Sequence, residues 1–456
     1  MKRYLRLHRP HYKETLKLGL PVIVSQLGQI TVGLADNMMI GQIGITELAA
    51  ASFANTLFSL PLILGMGFAM SLTPLVGRAW ANHDEKAVKS LWKNGLVSNS
   101  LMAAALLLFA FLLYVTMPLM HQPEHLIPIS RQYFVYIAAS LLPLMVFLTG
   151  KQLFEGLSNT RTAMMIILSG NVMNIAGNYI FIYGKLGMPE MGLNGAGFST
   201  LLARVFMALA MIIIVQKHRI FQSKYKQRIS ATWQQVKTIY KLGIPMGIHL
   251  FSEASAFIVA GIMMGWLGET GLAAHQIVIS LSTLGFMLYQ GIGVSTTIRI
   301  SQLLVKGNHL LLRRASVAST QIVSVMVLVI SCFFLLFSPV LPYLFTSNRE
   351  VASLATNLMI VLVIFQLFDG IQIIFAGILR GMSDAKVPSM LTLFSYFGIA
   401  IPVSYLAAFK TGLGPLGIWI GFPVGLGVCA TLFYFRIKKM IAGYSGTSPA
   451  LIPASK

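Results

Sequence analysis

Residues 17–50 read KLGLPVIVSQLGQITVGLADNMMIGQIGITELAA, and residues 241–274 read KLGIPMGIHLFSEASAFIVAGIMMGWLGETGLAA. Set 224 positions apart, KLGLP meets KLGIP, Met39 meets Met263, Gly41 meets Gly265, Gly44 meets Gly268, and Leu48-Ala49-Ala50 meets Leu272-Ala273-Ala274. Further on, Gly156-Leu157-Ser158-Asn159 meets Gly381-Met382-Ser383-Asp384 at an offset of 225. After a deletion of five residues, Gly192-Leu193 meets Gly412-Leu413, and Gly197 meets Gly417. One such match carries little weight. A nearly constant offset along the whole chain means that the sequence is written twice.

Each copy is a series of apolar runs. The chain has 456 residues, of which 56% are hydrophobic and 10% charged. A soluble domain carries about 25% charged residues, so this chain cannot cover a water-exposed surface. Runs of about 20 apolar residues, enough to cross a bilayer as a helix, recur at 16–40, 48–73, 94–117, 131–153, 162–184, 195–216, 240–265, 272–297, 315–340, 355–378, 389–409 and 415–436. Helices satisfy their own backbone groups in lipid, and the short alternating strands of a membrane β-barrel are missing. The expectation is an all-α polytopic membrane protein of about twelve transmembrane helices in two six-helix lobes. Because six is even, both copies enter the bilayer from the same side, as parallel repeats about an axis along the membrane normal. The chain then divides into an N-lobe at 1–216, a basic linker at 217–240 and a C-lobe at 241–456. Two-lobed repeats of this kind favour a secondary transporter working by alternating access.

The net charge of +21 raises the question of nucleic acid, and its placement answers it. With the N-terminal side taken as inside, 29 of the 34 Lys and Arg residues fall there. Four face the other way (Arg131, Lys185, Arg349 and Lys410), and Arg204 lies within a span. This is a positive-inside pattern. It puts both termini in the cytoplasm and the chain in the cytoplasmic (inner) membrane. The charge orients the protein in the lipid bilayer, with no nucleic acid and no obligate protein partner implied. The basic N-terminus is not followed by a short apolar core with a cleavage site, so the first span is expected in the mature protein. Cys332 and Cys429 fall in spans and read as small buried apolar residues.

No P-loop and no HExxH spacing occurs, so neither an enzyme nor ATP-driven transport is expected, and no cofactor. Gly65-Met66-Gly67 and Gly195-Ala196-Gly197 read as close helix packing.

Of the 13 acidic residues, three lie deep inside spans: Asp36, Glu253 and Asp369. A carboxylate in lipid costs roughly 2.5–3.5 kcal/mol on insertion scales, and such groups usually face a cavity and mark an ion or proton path. The alternative is a structural carboxylate bonded to neighbouring helices. Across the repeat, Glu253 corresponds to Gln29, Asp36 to Ala260 and Asp369 to Leu144, so the scaffold is symmetric and its chemistry is not. Asn174 and Asn178, four apart on one helix face, either serve Asp36 or glue helices together. Arg204 reads as snorkelling outward, with a pair to Asp36 as the other possibility. The Met38-Met39 and Met263-Met264 pairs are either packing residues or flexible thioethers of a cavity that accepts varied apolar ligands.

At these residues the chain resembles the MATE family of multidrug and toxic-compound extruders, its NorM-type branch in particular. The stretches that carry the resemblance are SEASAF (252–257), AAHQ (273–276), FDGIQIIFAGILRGMSD (368–384) and NIAGNYIFIYGKLGMPEMG (174–192). The resemblance implies export of cationic or amphipathic drugs in exchange for Na⁺ or H⁺. It implies that Glu253 and Asp369 form a C-lobe cation site, holding Na⁺ if the exchange is with sodium. It implies that Asp36, with Asn174 and Asn178, is an N-lobe proton or substrate site, and that Gln276 belongs to the substrate cavity. Where some relatives have a tyrosine four residues before the second carboxylate, this chain has Phe365. The ring remains for a cation–π contact, and the hydroxyl is gone. The competing function is flipping of lipid or lipid-linked precursors. Cavities for phosphate groups tend to be basic, whereas the deep charges here are mostly acidic.

Overall fold

The computed structural model describes residues 2–222 and 232–443, with side chains from His8 onward. Residues 223–231 of the expected linker lie outside the described residues. Among the described residues there is no strand, and twelve helices are long and apolar enough to cross a membrane. They run His8–Gly41, Ile45–Ala81, Glu85–Met120, Leu126–Gly156, Thr160–Ile182, Leu193–Lys217, Trp233–Trp266, Glu269–Val305, His309–Phe337, Arg349–Gly381, Lys386–Lys410 and Pro415–Gly443. They are the first to twelfth spans below.

Several spans are much longer than their apolar runs. The second and eighth have 37 residues each, or about 55 Å at roughly 1.5 Å per residue, against a hydrocarbon core of about 30 Å. The segments 78–93 and 299–314, which lie between the apolar runs, are therefore largely helix. Charged helix ends project past the apolar run, which hydropathy alone does not register. Arg78, Arg131, Arg299 and Arg380 join Arg204 within the helices of these spans.

The chain forms two compact units. One is Val24–Phe251, and the other takes the described residues of Met1–Ile23 together with Ser252–Lys456. The unit boundaries cut the first and seventh spans 228 positions apart, about one helical turn from equivalent points of the repeat, so each helix begins in one unit and ends in the other. In Val24–Phe251, the second and seventh spans meet closely, with Gly67 against the backbone of Gly247. In the other unit, Gly19 and Gly291 make the corresponding approach between the first and eighth spans. Gly67 and Gly291 stand 224 positions apart and Gly19 and Gly247 stand 228 apart, so the exchange follows the repeat to within about one helical turn.

The matched turns have a conformational cause. Ser158 and Ser383 both adopt positive φ, 61° and 58°, which closes the helix before them. The next residues then do different work. Asn159 accepts from the Thr162 N–H and caps the fifth span, a standard role for asparagine. Asp384 Oδ2 instead accepts from Arg436 Nε at 2.6 Å. Cys429 is buried as expected, but Cys332 is exposed on the ninth span, because half or more of that helix faces away from the unit's core.

Candidate functional site

In the unit Val24–Phe251, Asp36 lies past the point where the first span enters. Asn178 Nδ2 donates to Asp36 Oδ1 at 2.5 Å, a short charge-assisted bond. One turn earlier, Asn174 Nδ2 donates to Thr200 Oγ1 at 3.2 Å, and the Asn174 carbonyl accepts from Ser199 Oγ at 2.8 Å. The two asparagines share a face but divide the work. Asn178 holds the carboxylate, while Asn174 ties the fifth span to the sixth. Their side-chain oxygens meet no donor among the described residues.

Arg204 does not reach outward as expected. Its Nη1 donates to Ser140 Oγ at 2.6 Å and its guanidinium stacks over the Phe58 ring at 5.1 Å. It forms no salt bridge with Asp36, although the two groups act on each other electrostatically. Lys151–Glu155 and Arg436–Asp384 are ion pairs among the described residues. The aromatic face and the hydroxyl replace water around the guanidinium and hold it in place.

The other two carboxylates lie together in the second unit. Glu253, on the seventh span, accepts at Oε1 from the Tyr396 hydroxyl at 3.1 Å. Asp369, on the tenth span, is almost wholly buried, and its Oδ2 has no donor among the described residues. The two acids act on each other electrostatically. Nearby, Gln366 Oε1 and the Tyr289 hydroxyl are also buried without partners, while Gln372 and Ser395 lie against the Cys429 thiol. Gln366 Nε2 keeps one bond, to the Ser282 carbonyl at 3.4 Å. Two carboxylates this deep cannot both be anionic without a counter-charge. Hard oxygen atoms with open coordination suit a small cation or a proton.

The structure separates the remaining candidates. Met263 and Phe365 are core side chains, each 2% exposed. The Phe365 ring makes T-shaped pairs with Phe257 and Trp419 at 5.9 and 6.0 Å, so it is part of the core packing. Met38 is 69% exposed, and Gln276 is exposed too. Met39, the repeat counterpart of Met263, is half-buried, so these thioethers sit in different surroundings. Sequence reasoning missed Tyr396, Tyr289, Gln366 and Gln372. The spacing of Gln366, Asp369 and Gln372, three apart on one helix face, was a readable signal. Tyr396 carried none, since its partner is 143 positions away.

A family profile described as MatE matches the chain twice, at residues 21–180 and 245–406. The matches begin at Pro21 and Pro245, the same offset as the internal repeat. A probable multidrug resistance protein NorM of Agrobacterium fabrum is 30% identical over 446 residues, covering 94% of both chains. The multidrug resistance protein MdtK of Yersinia pseudotuberculosis is 30% identical over 436 residues, covering 93% of this chain and 95% of the relative. Among solved structures, the eukaryotic MATE transporter AtDTX14 has the same fold, with a TM-score of 0.87 at 18% identity, over 96% of this chain and 99% of that one.

Proposed function

The chain belongs to the MatE family, and on that premise we propose that it is a multidrug efflux antiporter of the cytoplasmic membrane, exporting cationic and amphipathic compounds in exchange for Na⁺ or H⁺. Both termini lie in the cytoplasm, as the charge distribution requires. Multidrug resistance is the role in the names of its relatives, and cation coupling and substrate charge are inferred from this chain's own residues.

The observation that carries the reading is the buried Asp369 Oδ2, left without a donor beside Glu253. The pair needs one positive charge. A sodium ion, a shared proton or a cationic drug can each supply it, and they exclude one another there. Exclusion is what antiport requires, provided the ion binds the outward and inward states with different affinity. Asp36, with its single amide donor, is a second acidic site in the other unit and takes a proton or a cationic substrate.

The test is reconstitution in liposomes, with ethidium or norfloxacin movement followed under imposed Na⁺ and H⁺ gradients. Glu253→Gln and Asp369→Asn should each abolish ion-driven release while drug still binds. Release that is indifferent to both gradients in the unaltered protein refutes coupling. Ion-driven release that survives in both variants moves the site elsewhere, with Asp36 next.

A further inference from the structure

The tenth and twelfth spans run side by side in the same direction. A Cβ on Gly427 would meet the Phe368 ring at 3.3 Å, and the Tyr434 ring lies 6.3 Å from that of Phe375. Both contacts join residues 59 positions apart, so the helices keep one register over about two turns. Between them lies a groove of about 680 Å³. Val361, Ile364 and Phe368 form one wall, and Ile420, Val424 and Val428 belong to the other. Gly427, with no side chain, leaves the space open. Thr431 has the one polar side chain of the lining, and no lining residue is charged. Ile364 and Val424 are 45% and 42% exposed, so the groove opens along its length. An exposed apolar patch of this kind marks a contact surface, and on a membrane helix it suits hydrocarbon. A cationic drug would bury its charge here without a partner, which is costly.

We propose that this groove holds an acyl chain of an anionic phospholipid of the inner leaflet, whose phosphate is bound by Lys438 and Lys439. The proposal rests on the cytoplasmic placement of the C-terminus given above, and not on drug transport. At about 100° per residue, the groove face of the twelfth span continues past Leu432 through Tyr434, Phe435, Lys438 and Lys439. All four are exposed. Arg436 falls outside this face and is held by Asp384 at 2.6 Å. The groove runs about 18 Å from Ile420 to Leu432, and Lys438 lies about 9 Å further on, at roughly 1.5 Å per residue. One leaflet's hydrocarbon is about 15 Å deep, half of a core of about 30 Å. A chain laid in the groove therefore spans its leaflet, with its phosphate at the level of the lysines. Tyr434 stands between the two, where a tyrosine marks the membrane interface. Lysines at the cytoplasmic end of a span attract anionic headgroups.

The test is native mass spectrometry of the full chain, released from detergent micelles that carry equal amounts of dioleoyl phosphatidylglycerol and dioleoyl phosphatidylcholine. Each lysine near an anionic headgroup is worth about fivefold, so the unaltered protein should retain phosphatidylglycerol about thirtyfold over phosphatidylcholine. In the double variant Lys438→Gln, Lys439→Gln, both at exposed positions, that preference should fall to about one. Gly427→Leu fills the groove and should abolish preferential retention with both lysines in place. Val424→Trp, at an exposed position, fills it too and serves if Gly427→Leu fails to fold, which thermal unfolding in detergent reports. Ethidium should leave the retained lipid in place. Equal retention of the two lipids by the unaltered protein overturns the proposal, and so does a preference that survives loss of both lysines. A preference untouched by filling the groove would place the headgroup on the lysines alone, and overturns it as well. Displacement by ethidium would make the groove a drug site instead. Retention is read in detergent, so it stands apart from the transport assays and from the side on which the chain's termini lie.

Discussion

Replacing Gly67 with alanine tests the close approach on which the unit Val24–Phe251 is built. A Cβ at that position would lie 2.7 Å from Gly247 Cα, 2.7 Å from the Met246 carbonyl oxygen and 3.0 Å from Gly247 N. All three atoms are backbone, so no side chain can swing aside. Ordinary contact begins at 3.4 Å, and interiors this dense do not absorb the difference. The second span and the first half of the seventh must separate by about 0.7 Å, and overpacking of this kind costs about 1–3 kcal/mol. Alanine's better helix propensity returns about 0.5–1 kcal/mol. The net expectation is a loss of roughly 0.5–2 kcal/mol. Gly33 supplies the control, since a Cβ there meets nothing within 4 Å. The same substitution at Gly33 should be neutral or stabilising by up to about 1 kcal/mol. The assay is reversible unfolding in mixed micelles, with the two variants run beside the unaltered protein. Because the seventh span continues from this contact to Glu253, Gly67→Ala should also slow ion-driven drug release. A Gly67→Ala protein as stable as Gly33→Ala would refute the argument, since it would mean that the helices part without cost.

Four further outcomes follow from the site and the charge distribution. Asp36→Asn should abolish export while expression and unfolding temperature stay near normal, and normal transport would return Asp36 to a structural role. Monovalent organic cations should be transported in preference to anions of equal size, because buried acids repel anions strongly; equal transport of the two, measured by competition in liposomes, would contradict this. Cysteines placed in 217–240, and tags at both termini, should react with impermeant reagents only from the cytoplasmic side. Burial, and then neighbouring Arg219, hold the His218 imidazole below its usual value. The unfolded chain then takes up a proton that the folded one does not, so stability should fall as pH drops through about 6.5. His218→Gln should flatten that dependence in a pH series of unfolding temperatures.

The number of spans was legible because lipid imposes one requirement on every crossing segment, a long apolar run wound as helix. The duplication was legible because KLGLP, KLGIP and the matched turns recur at fixed distance, and positive φ at Ser158 and Ser383 explains why those turns are kept in both copies. Helix ends were not legible. A run such as 272–297 ends where its apolar residues end, while the helix Glu269–Val305 continues past them with its backbone bonds intact. Arg299, just past the apolar run, looks in the sequence like a loop residue. It is a buried helical one, bonded to the His11 carbonyl and Thr15 Oγ1.

By itself, the sequence determined that three carboxylates lie deep in an apolar, twice-written membrane protein, because an acid inside such a run is visible without coordinates. Only the tertiary structure decided what each acid meets. Asp36 takes one asparagine and not the other, and Arg204 settles on Ser140 and Phe58 rather than on Asp36. Glu253 receives a tyrosine from a helix 143 positions away, and Phe365 is spent on the core. Periodicity assigns a residue to a face of its own helix. Which neighbouring helix that face meets depends on how a dozen helices pack together, and no spacing along the chain encodes that.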